Sequence, residues 1–253
     1  MIVGVASWRG TGATTTAVAL AASLAARSHR PWLVEADPAG GVLAARLPRG
    51  VLRVGGLEAV AFPDGRSSAA ERFESVAIEV VGVRMVAAAG DPFRAWACHA
   101  PRVAWAPSLR ELDGPVVVDL GRLRGGTPVQ AVLGQLDALL LIADADVVSV
   151  VSTMEWASAS GRVAAPDAQL AVDVIRIAIV DAPTAFDRIG RTDADAELGA
   201  RFAGWMPWDP EAVRALMDGT RLDDRRLRRS AFAQAAHHLT DRLGDWVGDD
   251  VAA

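Results

Sequence analysis

Ile2-Val3-Gly4-Val5-Ala6-Ser7-Trp8-Arg9-Gly10-Thr11-Gly12-Ala13-Thr14-Thr15-Thr16 opens the chain and decides its fold. Ile2–Ser7 is a short apolar strand. Gly10 and Gly12 permit a tight turn. Thr14–Arg27 is a helix whose interior is nearly all Ala, Leu and Val, with Thr14 placed to cap it. A strand, a glycine turn and a helix N-terminus form an anion site, because unpaired backbone N–H groups and the positive end of the helix dipole converge there. Outward from this unit, strands and helices alternate. Further strands are expected at Pro31–Ala36, Val83–Ala88, Pro115–Leu120, Ala138–Ala143, Val174–Asp181 and Arg201–Met206. Helices are expected at Val42–Leu47, in pieces over 92–112 around Pro101 and Pro107, and at Asp146–Ala159, Glu211–Asp218 and Asp223–Leu243. In the last of these, Leu227, Ala231, Ala235, Leu239, Leu243 and Trp246 recur at helical spacing. The pattern is α/β: a doubly wound, mainly parallel sheet with helices on both faces. No repeat or linker interrupts it, so residues 1–253 are expected to form one domain, with 48–112 the least legible part.

A working phosphate-binding P-loop reads G-x-x-x-x-G-K-[ST], its lysine reaching the β- and γ-phosphates. Here Gly12 and Thr14 stand at the second glycine and the hydroxyl, Ser7 replaces the first glycine, and Ala13 stands where the lysine belongs. The chain has no lysine at all; its 26 basic residues are all arginine. Asn and Tyr are absent too. A GC-rich genome explains that general bias, but not the loss of a lysine on which phosphoryl transfer depends. The backbone donors survive, whereas the ammonium that would neutralise charge on a transferred phosphoryl group does not. Binding is therefore expected to be weak and hydrolysis impaired or absent.

Two acidic stretches belong to the same edge. Val34-Glu35-Ala36-Asp37-Pro38 ends one strand, and Val116-Val117-Val118-Asp119-Leu120-Gly121 ends another. In a parallel sheet the C-terminal strand ends meet at one edge. Glu35, Asp37 and Asp119 are thus the candidate catalytic acids, and Thr14, Asp37 and Asp119 the candidate ligands of Mg²⁺. The alternative for any one of them is a solvated strand cap.

These motifs together resemble the ParA/MinD family of P-loop ATPases, the deviant Walker A group, with K-G-G-x-G-K-T-T, a D-x-D-P turn and a later D-[LT]-[GP] switch. Trp8 to Thr15 fall on the first, Glu35-Ala36-Asp37-Pro38 on the second and Asp119-Leu120-Gly121 on the third. Pro207-Trp208-Asp209-Pro210 is similar to the family's late P-x-D segment near the base. The resemblance spans roughly residues 1–245. It is nearest to degenerate ParA-like proteins of GC-rich bacteria, with a CpaE/TadZ-like branch as one option. It implies a bacterial, nucleotide-binding fold in which Arg9, Gly10, Thr11, Gly12, Ala13, Thr14, Thr15, Pro207 and Asp209 contact Mg-ATP. It also implies a homodimer or a protein partner engaged through the P-loop and switch edge. The departures are large. The family's signature lysine is Trp8, its Walker lysine is Ala13, and Asp181 ends the strand after which an adenine-reading asparagine often stands.

Three functional readings stay open at this point. One is a positioning or scaffolding factor for partitioning, pilus or secretion machinery, with weak or no hydrolysis. The second is a nucleotide-free interaction module. The third is an active ATPase in which Arg9 replaces the lysine. Bulk properties narrow the rest. A net charge of −5 gives no general affinity for nucleic acid or anionic lipid. Arg221, Arg225, Arg226, Arg228 and Arg229 are the densest basic cluster, but Asp223 and Asp224 dilute it, so a solvated face is preferred to non-specific DNA binding. The terminal helix is amphipathic, yet acids follow it, which opposes membrane binding. No apolar run approaches the ~20 residues needed to span a bilayer. A lone Cys98 and the absence of a basic leader suit a reducing, cytoplasmic setting.

Overall fold

β1 (Ile2–Ser7) is buried along its whole length because it lies in the middle of the sheet and is covered on both faces. The computed structural model describes residues 1–46, 56–124, 126–159, 172–183 and 186–248. After β1 come α1 (Ala13–Ala26), β2 (Trp32–Glu35), α2 (Leu43–Arg46), α3 (Gly56–Ala61) and α4 (Ala69–Val76). A hairpin of β3 (Ile78–Val80) and β4 (Val83–Val86) follows, then α5 (Pro92–Ala97), a 3-10 helix at Ala106–Glu111 and β5 (Val116–Arg122). The second half runs α6 (Gln130–Leu133), β6 (Ala138–Asp144), α7 (Val147–Ala159), β7 (Ile175–Asp181) and α8 (Arg191–Leu198). It closes with a 3-10 turn at Gly199–Arg201, β8 (Phe202–Pro207), α9 (Pro210–Met217) and α10 (Ala231–Gly248).

The eight strands form one sheet in the order β3-β4-β2-β5-β1-β6-β7-β8, parallel except for the β3–β4 pair. The chain moves from β1 toward β2, returns to place β5 beside β1, and crosses to β6 on the other side. The strand order therefore reverses at β1, and the crevice outside its C-terminal end is where ligands of open α/β sheets gather. Two cores lie on opposite faces. One holds Val3 and Val5 with α1, α9 and α10, and the other holds Ile2 and Ala6 with α4, α6, α7 and α8. Alanines let α1 fit closely between the sheet and α10. Ser23 Oγ and His237 Nδ1 are bonded across that contact at 2.7 Å, and Arg27 pairs with Asp241. Leu20 and Phe232 are fully buried here, each contributing about 1.5–3 kcal/mol by leaving water.

The doubly wound α/β expectation holds, with differences of detail; the short helices α3 and α6 were not anticipated. β3 was not anticipated. Its turn, Val81-Gly82, has φ of 51° and 80°, as in a type I′ hairpin, but a β-branched residue in that position gives no sequence signal. α4 was missed although Ser68 and Glu71 form a full capping box, an S-x-x-E pattern visible in the sequence. α8 was not anticipated either. The final helix begins at Ala231, not Asp223, because Asp224 Oδ1 accepts from Arg226 N at 2.8 Å and Ser230 Oγ accepts from Ala233 N at 3.1 Å. The first bond favours a turn over helix before Ser230, and the second caps α10 at its start. The buried stripe is accordingly Phe232, Ala233, Ala236, Leu239, Leu243 and Trp246, and Ala231 is exposed. The arginine cluster sits on the preceding turn, where Arg221 Nε bonds Asp223 at 2.9 Å. Leu47, at the end of the expected Val42–Leu47 helix, lies outside the described residues.

Candidate functional site

The turn after β1 is drawn closed by a side chain. Ser7 Oγ accepts from Gly10 N at 3.0 Å and from Thr11 N at 3.1 Å. Thr11 Oγ1 donates to Asp144 Oδ2 at the end of β6, 2.7 Å away. Gly10 and Gly12 carry φ of 86° and 63°, which only glycine adopts without strain. Gly12 is the N-cap of α1 and no side chain caps it. The first-turn N–H groups of the helix thus remain available to an anion, whereas two loop donors do not. The sequence-based expectation that all the loop donors survive is corrected on this point: Ser7, in the place of the first glycine, takes two of them.

A cleft of about 320 Å³ opens here, walled by Gly10, Gly12, Ala13, Thr14 and Thr15, with Asp37 and Gly121 across from them. Ala13 is 5% exposed, its methyl packed into the core, so no flexible group stands in the lysine's place. A second cavity of about 310 Å³ joins the first at Gly12 and Thr15. It is mostly apolar, with Val180, Met206, Pro207, Met217 and Phe232 in its wall and Trp208 at its mouth. Asp209 also borders it and caps α9 by accepting from Ala212 N at 2.9 Å. Asp181 pairs with Arg188 and is not part of that wall.

Three acids lie beneath the cleft, brought together by strand register. Glu35 and Asp119 are direct neighbours across β2 and β5. Asp119 is fully buried. One oxygen accepts from Gly121 N at 3.0 Å, and Oδ2 has no hydrogen-bond partner among the described residues. Burial is the main cause that pushes its pKa up to about 7; the nearby Thr14 hydroxyl opposes this, and Glu35 and Asp37 reinforce it. Asp37 is also raised, chiefly by burial, against a bond from Ala39 N. A Cβ on Gly121 would stand 1.9 Å from Asp37 Oδ2, and Gly121 has φ of 58°, so both space and backbone require glycine there.

Glu35 has a different surrounding. Oε1 accepts from Val42 N at 2.7 Å and Leu43 N at 2.9 Å, and Oε2 accepts from Ala88 N at 2.9 Å. Gly41 is the partner in this arrangement, since a Cβ there would lie 2.4 Å from Oε2. Burial raises the Glu35 pKa and the three backbone bonds oppose the rise. The carboxylate is committed to holding the 36–43 segment against the end of β4, which leaves Asp37 as the acid in the cleft wall, with Asp119 buried beneath it.

The cations are not where the sequence suggested. Arg9 is exposed, lies near enough to Asp146 to lower its pKa, and lines neither cavity. The expected substitution of the lysine by Arg9 is corrected accordingly. Two arginines that sequence reasoning did not single out, Arg46 and Arg122, border the cleft instead. Thr11 is likewise outside both walls, spent on the tie to Asp144. Among the described residues, no three His, Cys, Asp or Glu side chains are grouped so as to hold a metal by themselves. An ion at this place would take Thr14 and Asp119 together with ligand oxygens, and the partnerless Asp119 Oδ2 fits that role. Trp8 is half-buried, its ring 6.0 Å from that of Trp156 on α7 and tilted by 37°. Aromatic pairs of this kind contribute roughly 0.5–1.5 kcal/mol. A double-mutant cycle over Trp8→Ala and Trp156→Ala is expected to give a coupling of about 1 kcal/mol in thermal unfolding; additive losses would mean that Trp8 does not anchor on its own chain.

The site and sheet together define the fold of the P-loop NTPases in its MinD/ParA form. Similar solved structures include the cell division ATPase MinD of Pyrococcus furiosus, the septum site-determining protein MinD of Pyrococcus horikoshii complexed with Mg-ADP, and a ParA family ATPase of Chlorobium tepidum. The first is 16% identical, with a TM-score of 0.73 over 96% of this chain and 98% of its own. The second is 14% identical, with a TM-score of 0.72 over 98% and 97%. The third is 16% identical, with a TM-score of 0.71 over 97% and 98%. No family model matches the chain, and no curated protein matches it either. At such identities the likeness is one of fold. Among the described residues no helix is long and apolar enough to cross a membrane.

Proposed function

We propose that this protein is a degenerate ParA/MinD-like positioning or scaffolding factor that binds Mg-nucleotide weakly and hydrolyses it little or not at all. The observation that carries this reading is the buried, partnerless Asp119 Oδ2 beside Thr14, under a helix N-terminus with no cap. That combination suits a magnesium-bound phosphate. Bound Mg²⁺ would offset the negative charge of the phosphates. Thr14 and Asp119 would hold it, and the first turn of α1 would orient the phosphate. The apolar cavity beside Pro207 and Asp209 is of a size for the base. The P. horikoshii neighbour, of the same fold, is complexed with Mg-ADP.

Binding is expected to be weak for two reasons. Both family lysines are absent, and each lost charge-assisted contact removes about 1.5–3 kcal/mol, roughly ten- to a hundredfold in affinity. In addition, Ser7 occupies two loop donors. Calorimetry with Mg-ADP and Mg-ATP is expected to give dissociation constants in the high micromolar to millimolar range, and low-micromolar binding or tighter would contradict the reading. Phosphate release is expected to be negligible, and Ala13→Lys alone is not expected to restore it. Steady turnover that is lost on Thr14→Ala would instead support an active ATPase. The Ser7 bonds also favour a second reading, a nucleotide-free module that meets a partner or a second copy of itself through the P-loop and switch edge. No heat with any nucleotide, together with a melting temperature unmoved by Mg-ATP, would select it.

A further inference from the structure

We infer that Arg46 and Arg122 are the phosphate-binding cations of this cleft, supplied from its walls in place of an ammonium from the loop. This rests on the proposed nucleotide reading for its ligand, the di- or triphosphate of a nucleotide, but not for its geometry. Arg122 is the last residue of β5 and is paired in register with Ser7, so its stem runs beside the glycine turn. A Cβ on Gly10 would meet Arg122 Cδ at 3.6 Å and Cζ at 4.0 Å. Its Nε donates to Trp8 O at 3.4 Å, which orients the guanidinium and leaves its two terminal nitrogens without a hydrogen bond among the described residues. These are ordinary contact distances, so they place the arginine stem beside the turn, and glycine is required at position 10 by its positive φ alone.

Arg46 is the second arginine in the cleft wall. It ends α2 and borders both the phosphate cleft and the apolar cavity. It forms no ion pair or hydrogen bond among the described residues. Other arginines are also without an ion pair among the described residues, but Arg46 and Arg122 are the ones that line the cleft of the glycine turn. Two uncommitted guanidinium groups facing one cleft, beside an unpaired helix N-terminus, are a polyanion site. A guanidinium presents a planar fork that grips two phosphate oxygens, so a pair of them can span a diphosphate from the sides. Sequence reasoning looked for a cation within the loop itself, and the fold supplies them from β5 and α2.

The test is calorimetry on the full chain with two probes, Mg-ADP and inorganic tripolyphosphate. Arg46→Ala and Arg122→Ala are each expected to weaken tripolyphosphate binding about tenfold, and the double variant about a hundredfold. Arg46→Lys and Arg122→Lys are expected to retain most of it, and Arg9→Ala all of it. Both arginines are exposed, so the substitutions leave folding intact, which the unchanged melting temperature checks. Wild-type binding of tripolyphosphate but not of Mg-ADP would support the arginine pair and overturn the nucleotide reading. Binding of Mg-ADP that Arg46→Ala and Arg122→Ala leave unchanged would overturn the arginine pair alone. If the wild type binds neither probe, both fall.

Discussion

Asp119→Asn is expected to raise the melting temperature at pH 8 by on the order of 10 °C and to change it little at pH 4. Burial, with Glu35 and Asp37 adding to it, raises the Asp119 pKa from 3.8 to about 7. A carboxyl group raised in the folded state contributes stability below its unfolded pKa and loses it as the pH climbs through its folded one. At pH 4 the acid is neutral in the folded protein, and asparagine replaces it nearly as an isostere, still able to accept from Gly121 N. At pH 8 the wild type buries an ion that Gly121 N and the Thr14 hydroxyl offset only in part. A rise of that size corresponds to several kcal/mol, on the order of 4, part of which asparagine would recover. His99 complicates the profile of either protein alone. Burial holds its pKa down at about 4, which makes stability fall with acidification between about 6.5 and 4, the opposite sign to Asp119. Because His99 is common to both proteins, the difference between them isolates the aspartate. Scanning calorimetry of the two at half-unit pH steps is the measurement, and a gap independent of pH would show that Asp119 is ionised and satisfied throughout. A gain in stability on removing a charge, coupled to loss of any Mg-nucleotide response, is the signature of a group kept for a ligand rather than for the fold.

The sheet was legible because its inner strands are buried on both faces and therefore read as continuous apolar runs. Ile2–Ser7, Val116–Leu120 and Ala138–Ala143 needed no context to be recognised. The P-loop turn and the acids at the strand ends were legible as positions, because glycine spacing and the rule of carboxyl edges fix them. What each side chain does there was not. Ser7 read only as a lost glycine, although its hydroxyl sits within reach of two loop amides once the turn forms. Glu35 read as a catalytic acid because it precedes Asp37 by two residues, but its carboxylate turns toward the backbone of 42, 43 and 88, a contact 53 residues away that no local pattern reveals. Arg46 and Arg122 looked like two among many arginines, since their value lies in which cleft they border. Within the poorly legible 48–112 stretch, α3 is short and held by packing of Leu57 and Val60 against the sheet, whereas α4 did carry a local signal, the Ser68–Glu71 capping box, that was overlooked.

Glu35→Ala is expected to lower stability by about 3 kcal/mol or more and to loosen the cleft at a distance. Three backbone donors, Val42 N, Leu43 N and Ala88 N, would be left without their acceptor. Each buried orphan costs roughly 1–3 kcal/mol. Relief of the buried acid, whose pKa is itself raised, returns part of that sum. Glu35→Gln keeps an oxygen for Val42 and Leu43 but sets an amide NH₂ against Ala88 N, so an intermediate loss is expected. Hydrogen exchange is the discriminating readout. Protection at 42, 43 and 88 should collapse in the alanine variant, while amides of the inner strands such as Leu140 fall only by the global loss. Protection unchanged at those three sites would refute the clamp. Because α2 starts at Leu43 and ends at Arg46, freeing its first turn also frees the arginine that borders both cavities. Tripolyphosphate affinity should therefore drop in Glu35→Ala to about the level of Arg46→Ala and should drop no further when the two are combined. Independent losses would place Glu35 in contact with the ligand and return it to the catalytic acids. A shared loss makes it the residue that positions the arginine, so that the switch segment and the phosphate site act as one unit through a single buried carboxylate.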